Sequence, residues 1–327
     1  MKYAATLQDA TVLITGGTGT FGNAFLDECL EAGAEEVRIF SRDEKKQYDM
    51  SQRYRAHRNV RFFLGDIRDK RTIDAAMYGV DFVFHAAAMK QVPSCESFPM
   101  EAVKTNIMGS ENLLLSAIQK HVQKVVCLST DKAVYPTSAM GMTKAYMEKL
   151  AIQKAEQQSG TEICVTRFGN LVASRGSAVP LFIEQVQNGM PITITDPGMT
   201  RFMMTVKEAV SLVRQAFIIG RSGELLVKRS AACTTGDLAK AVCEYLKLPE
   251  DYPVDVIGIR PGEKVHGALL TEEGAEVATV EGDYMVVSRS NPGVKKLDVP
   301  YRSDLAERMD EPAVLRLIES VFEGGVS

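Results

Sequence analysis

The feature that most constrains this chain is a glycine-rich turn set directly behind a short apolar run. Thr11 to Ile14 is apolar or β-branched throughout, the turn TGGTGTFG fills Thr15 to Gly22, and helical spacing follows from Ala24 to Gly33. A strand that runs through glycines into a helix brings the backbone close to a pyrophosphate and aims helix N–H groups at it. Gly16, Gly19 and Gly22 are the spaced set, with Thr18, Thr20 and Phe21 between them. Taken alone the pattern reads equally well as a tight turn, so its context decides. Apolar runs recur at Val37–Phe40, Val60–Phe63, Phe82–Phe84, Val125–Leu128 and Ile163–Arg167, and helical stretches cover Pro99–His121 and Ala139–Ser159. Runs apolar at nearly every position suit strands buried on both faces. The expected class is α/β, a Rossmann-like doubly wound parallel sheet with right-handed crossovers.

The rhythm breaks after Asn170, where Pro180, Gly189, Pro191, Pro197 and Pro261 punctuate the chain. The expected organisation is a dinucleotide-binding domain over 1–170, rejoined by 203–230, and a smaller α/β C-terminal substrate domain from 171–202 and 231–327. The latter closes with a helix over Glu311–Phe322 and a Gly-Gly tail. At 327 residues and 45% hydrophobic content, both units can bury a core. A net charge of −4 provides no basic field for nucleic acid or an anionic membrane, so any phosphate must be held locally. No apolar run approaches the roughly 20 residues that span a bilayer, and Met1-Lys2-Tyr3 lacks a signal-peptide plan, so a cytoplasmic location is expected. The six cysteines stand singly, which argues against a metal site or disulfide framework; Cys127 reads as core and Cys95 as near a pocket.

The turn after the second strand discriminates between dinucleotides, because a carboxylate there suits a ribose hydroxyl and an arginine suits a 2′-phosphate. Ser41 and Arg42 hold that place, with Lys45 or Lys46 as further cations, so NADP is the expected cofactor; the alternative is that this charged run is a solvated helix start. Asp66, beside Ile67, is placed to meet the adenine amino group, and Ala86, Ala87 and Ala88 are small enough to let a cofactor pass.

The glycine turn, Gly65-Asp66, His85 to Ala88, Asn106, Ser129 to Lys132 and Lys144 resemble the extended short-chain dehydrogenase/reductases that act on nucleotide sugars. Within that group the runs from Phe40 to Lys46, Lys90 to Pro93, Thr130 to Lys132, Arg167 to Asn170, Thr195 to Pro197, Thr200 to Phe202 and Arg260 to Lys264 resemble UDP-N-acetylglucosamine 4,6-dehydratases that invert C5, the capsule-sugar branch most closely. The resemblance covers roughly Thr11 to Tyr284. It implies oxidation of the sugar at C4 by NADP, which acidifies the C5 hydrogen, then loss of the C6 hydroxyl as water. By that resemblance Asp131 is the acid and Lys132 the base, with Thr130 beside them, and lysine at 132 is the reason to expect inversion. The alternative for Asp131 and Lys132 is a surface ion pair at a strand end.

Lys132 must then lose part of its basicity, with Lys144 as the expected source of repulsion, and Asp131 must be protonated through desolvation. Met140 departs from the wider group, whose members carry a tyrosine four residues before the lysine; either Lys132, Thr130 or Tyr135 takes the C4 hydroxyl proton, or oxidation at C4 is slow. Lys144 and Asn106 join the cofactor set, with Lys90 between cofactor and sugar. Asn170, Thr195, Arg201, Arg260 and Glu263 are expected to hold the nucleotide sugar, and Val179 to pack on the uracil. Arg175 is read as a loop-closing or subunit contact, and Met199 to Met204 as either core or assembly surface. The resemblance also implies a homo-oligomer, dimer or hexamer. The rival readings are a retaining dehydratase, a UDP-hexose 4-epimerase and a non-catalytic NADP-binding regulator.

Overall fold

The computed structural model describes residues 7–172, 174, 176–288 and 300–322; Arg175 and the Gly-Gly tail lie outside them. Six strands come first: β1 (Thr11–Thr15), β2 (Glu36–Ser41), β3 (Val60–Leu64), β4 (Phe82–His85), β5 (Lys124–Leu128) and β6 (Glu162–Arg167). The second half adds β7 (Asn170–Leu171), β8 (Ile192–Ile194), β9 (Thr200–Met204), β10 (Leu225–Lys228), β11 (Ala232–Thr234), β12 (Val254–Val256), β13 (Ala278–Glu281) and β14 (Tyr284–Val287). The main sheet is parallel in the order β3-β2-β1-β4-β5-β6-β10, and the antiparallel hairpin β14-β13 extends its β10 edge. The expected α/β doubly wound sheet is therefore present. Its membership differs in one respect from the expected partition. Residues 278–287, assigned to the substrate unit, complete the main sheet.

Burial follows strand position. β4 is buried at every residue, whereas β3, at the edge, has none fully buried. Central strands are covered on both faces by helices, so only continuous apolar runs satisfy them. On one face the helix Thr20–Glu31 sends in Phe25, whose ring lies 4.8 Å from Phe84 and 5.6 Å from Phe217. A fully buried phenylalanine stabilises by about 1.5–3 kcal/mol. On the other face the helix Ala139–Glu156 buries Met147, Leu150 and Ala151. Met199, Met203 and Met204 are all buried, which resolves that stretch as core.

The helical run from Pro99 to Gln119 contains a π-helical segment, Val103–Met108. Such wider turns frequently mark functional positions. Here the segment carries Asn106, whose amide donates to Met89 O at 3.0 Å and Thr143 Oγ1 at 2.9 Å while its oxygen accepts from Met89 N at 2.8 Å. Asn106 thus braces the loop after β4 against the Ala139–Glu156 helix. Small sheets β11-β9-β7 and β12-β8 build the irregular half. Among the described residues no helix is long and apolar enough to cross a membrane.

Candidate active site

Strand order reverses between β1 and β4, and it is beyond the carboxyl ends at such a reversal that open α/β sheets bind their ligands. Gly16 stands at φ +67°, and a Cβ on it would lie 2.8 Å from Ala87 N. One on Gly22 would lie 2.4 Å from Gly17 Cα. The turn therefore packs onto its neighbours as only glycine allows. Gly19 caps the Thr20–Glu31 helix without a side-chain hydrogen bond, so its first-turn N–H groups suit an anion. This cradle fits a dinucleotide pyrophosphate. Phe21 contributes backbone only, since its ring packs on Phe168 at 5.2 Å and Phe84 at 5.8 Å. Thr18 Oγ1 lies 2.9 Å from Ser41 Oγ, joining the turn to the end of β2.

Beyond Ser41, Arg42 is exposed, with Nη1 3.8 Å from Asp66. Lys45 pairs with Asp49 at 2.9 Å, on a helix Glu44–Arg53 capped by Asp43, so the charged run is indeed a helix start. Arg68 grips Asp66 with both Nε and Nη2 and, chiefly through these bonds, holds its carboxyl below the usual range. Ile67 is buried against Gly109, Ala86 and Ala87 are half-buried, and Ala88 and Lys90 are exposed.

The end of β5 feeds a single 3₁₀ turn, Asp131–Ala133, with Thr130 as its cap. Asp131 is buried, and its Oδ1 accepts from Thr130 Oγ1 at 2.9 Å and Lys132 Nζ at 3.0 Å. Two expectations are corrected here. Burial pushes the Asp131 carboxyl upward, but Lys132, Thr130 and Lys264 together outweigh it and leave it below the usual range, so desolvation alone does not protonate it. Nor is Lys144 the cation set against Lys132. Its Nζ donates to Leu128 O at 2.6 Å, and burial brings it down to about 8 against the opposing pull of Cys127 and Glu148. The cation that Lys132 acts on is Lys264, likewise brought down to about 8, first by burial, with Lys132, Arg201 and Arg167 adding to it against Asp131.

Met140 is buried with Cys95 and Ala102. Tyr135, one of the groups considered in its stead, is half-exposed and accepts from Glu272 N at 3.3 Å, which turns its hydroxyl toward the Glu272–Glu276 helix. A cavity of about 500 Å3 is lined by Asp131, Lys132, Asn170, Arg201, Arg260, Glu263 and Lys264. An adjoining one of about 240 Å3 shares Asn170, Arg201, Arg260 and Glu263 and adds Val179 and Thr195. Arg201 is largely engaged by backbone, donating to Thr200 O, Val265 O and Lys264 O, and lies 3.7 Å from Glu263. Thr195 Oγ1 reaches the same carboxylate at 3.5 Å. Asn170 Oδ1 is buried without a partner between the two cavities, an acceptor open to a ligand donor.

Sequence reasoning passed over Lys264, although it named Arg260 and Glu263 in the same run. It also passed over Glu148, which accepts from Ser129 and from Arg167 Nε at 2.9 Å while Arg167 Nη1 donates to Leu269 O at 2.6 Å. The four-residue spacing of Met140, Lys144 and Glu148 was the available signal, since it places them on one helix face.

This fold is shared with solved structures of nucleotide-sugar dehydratases and epimerases. The chain belongs to the family described as "Polysaccharide biosynthesis protein", whose model matches residues 12–289. A protein of Rickettsia typhi named UDP-glucose 4-epimerase is 51% identical over 282 residues, 84% of this chain and 82% of the relative. The X-ray structure of Pen from Bacillus thuringiensis superposes with a TM-score of 0.91 at 36% identity, covering 96% of this chain and 98% of that one. DesIV, a dTDP-glucose 4,6-dehydratase from Streptomyces venezuelae solved with NAD and TYD bound, shares the fold at a TM-score of 0.71 and 23% identity, over 78% of this chain and 86% of its own.

Proposed function

We propose that this chain is an NADP-dependent UDP-N-acetylglucosamine 4,6-dehydratase that inverts C5, and that its product is a 4-keto-6-deoxy aminosugar nucleotide for surface polysaccharide. The observation that carries the reading is the Asp131–Lys132 pair, 3.0 Å apart, on the wall of the larger cavity. Turnover at C4 alone needs one proton acceptor for the C4 hydroxyl. Elimination needs in addition a base at C5 and an acid at C6, and this pair supplies both. The ion pair is one proton transfer from a neutral amine and a neutral carboxylic acid, and displacing water from the cavity favours the neutral pair. The C4 hydroxyl proton leaves to solvent through Thr130, whose hydroxyl donates to Asp131; Lys132 takes the C5 proton, Asp131 gives its own to the departing C6 hydroxyl, and solvent returns a proton to the opposite face of C5.

When bound, the dinucleotide supplies oxidation at C4 and the matching reduction at C6. The N–H groups behind Gly16, Gly19 and Gly22 hold its pyrophosphate, Lys144 its nicotinamide ribose, and Ser41 with Arg42 the 2′-phosphate. Residues 1–170 with 203–230 form the cofactor unit in this reading, joined by the hairpin 278–287 of the same sheet, and the remainder the sugar unit. Arg260 meets the diphosphate, Asn170 Oδ1 accepts from a hydroxyl or N–H of the nucleotide sugar, and Val179 lies under the uracil.

The relatives named UDP-glucose 4-epimerase at 50–51% identity support a second reading, a UDP-hexose 4-epimerase. Incubation with UDP-N-acetylglucosamine in heavy water, followed by proton NMR, separates the two. The dehydratase reading expects a C6 methyl signal and solvent deuterium at C5. A C4 epimer with neither defeats it in favour of the epimerase.

A further inference from the structure

Lys264 lies outside the residues given a chemical role above, yet it touches the turn that carries two of them. Its Nζ donates to the backbone carbonyls of Asp131, at 3.1 Å, and Val134. These carbonyls bracket the 3₁₀ turn Asp131–Ala133, and Val134 N closes the turn onto Asp131 O at 3.2 Å. The same lysine closes the run 260–264 that lines the cavity with Arg260 and Glu263, where Glu263 N donates to Arg260 O at 3.0 Å. Its own carbonyl accepts from Arg201 Nη2 at 2.7 Å. A second tie runs beside it, from Thr137 Oγ1 to Gly262 O at 2.9 Å. One ammonium therefore joins the turn bearing the acid and base to the wall facing the nucleotide.

We propose that Lys264 is a positioning residue: it pins the Asp131–Lys132 turn to the Arg260–Glu263 wall, so that a nucleotide sugar seated on that wall sets the acid–base pair against C5 and C6. This rests on the reading of Asp131 and Lys132 as the proton-transfer groups. An ammonium suits the task because it bonds two carbonyls that the turn leaves pointing the same way, and charge-assisted bonds are roughly twice as strong as neutral ones. A side chain that merely filled the space would be replaceable by methionine.

The test compares Lys264→Met and Lys264→Arg with wild type, using kcat and KM for water loss from UDP-N-acetylglucosamine and the melting temperature of each protein with NADP. A misplaced acid–base pair is expected to lower kcat about 100-fold in Lys264→Met, with KM within about threefold, because the loss falls on the transition state. Lys264→Arg, which keeps charge and donors, is expected to recover about a tenth of wild-type kcat or more. A folded Lys264→Met with wild-type kcat overturns the inference, as does a loss confined to KM. If Lys264→Met does not fold, the arginine variant decides alone: folded and saturable but as slow as about 1% of wild type, it overturns the proposal. A wild type that neither eliminates water nor takes up deuterium defeats the reading of Asp131 and Lys132 and removes this inference with it. A wild type that does both, beside an equally fast Lys264→Met, defeats the Lys264 inference alone.

Discussion

The two walls of the crevice are built on opposite terms. The wall at the end of β1 is made by close backbone packing, Gly16 against Ala87 and Gly22 against Gly17, and by a closed side-chain set in which His85 is held between Thr15 Oγ1 and Ser110 Oγ at 2.8 Å each. It too joins remote segments, Thr15 and Gly16 to His85 and Ala87, but its buried polar side chains Thr15, His85 and Ser110 are all partnered. The wall around the two cavities is assembled from β7, the loop before β9 and the segment 260–264, tied by single long-range bonds. It keeps one buried acceptor, Asn170 Oδ1, without a partner. A surface common to every turnover can be rigid before its ligand arrives, whereas one that selects a substrate leaves polar groups to be completed by it.

The contrast breaks most visibly at Gly22. Gly22→Ala forces a methyl to 2.4 Å from backbone, and overpacking against backbone that cannot yield costs about 3 kcal/mol or more. A melting curve should show a fall of many degrees together with loss of dinucleotide binding; an unchanged melting temperature would mean that the turn is not close-packed. His85 gives the next largest effect. Burial first, and the Lys144 charge second, bring it down to about 3. The unfolded chain protonates His85 near pH 6.5 and the folded one does not, so its contribution to stability is intact above that pH. It is lost at about 1.4 kcal/mol per pH unit as pH falls from 6.5 toward 3. Urea titrations at several pH values should show a shallower acid loss in His85→Gln, and equal slopes would sink the assignment.

Asn170 tests the other wall. Replacing Asn170, whose buried Oδ1 has no partner, by leucine should raise stability by about 1 kcal/mol while raising KM for the nucleotide sugar about tenfold. Stabilisation without loss of substrate affinity would mean that the acceptor serves no ligand. Arg42→Ala is the mildest. Exposed as it is, its removal should reduce the preference for NADP over NAD by several-fold in paired titrations, and an unchanged ratio would hand the 2′-phosphate to other groups.

The sheet was legible because its strands are buried on both faces, which demands apolar residues at each position and so writes the strand into the chain. β1 to β6 appear where apolar runs stand, and the helix Glu311–Phe322 where its periodicity ends. Less legible was the join of β13 and β14 to the main sheet, since a short edge hairpin has the pattern of any hairpin. The glycine turn and the Asp131–Lys132 pair were visible as residues, but their electrostatics were not. Asp131 is held ionised by Lys132, its sequence neighbour, and by Lys264, which is remote along the chain. Tyr135 stands close to Met140 in sequence, yet a backbone turn at φ +44° accompanies a side chain directed to Glu272.

Sequence by itself determined the fold class and the glycine turn behind the first strand, because periodicity and glycine placement are local constraints. Tertiary structure alone decided which cation faces which carboxylate and which polar atom is left open. Those outcomes depend on distances of a few ångströms between segments more than a hundred residues apart, such as Asp131 and Lys264, and charge interactions inside a protein follow distance and burial rather than order along the chain.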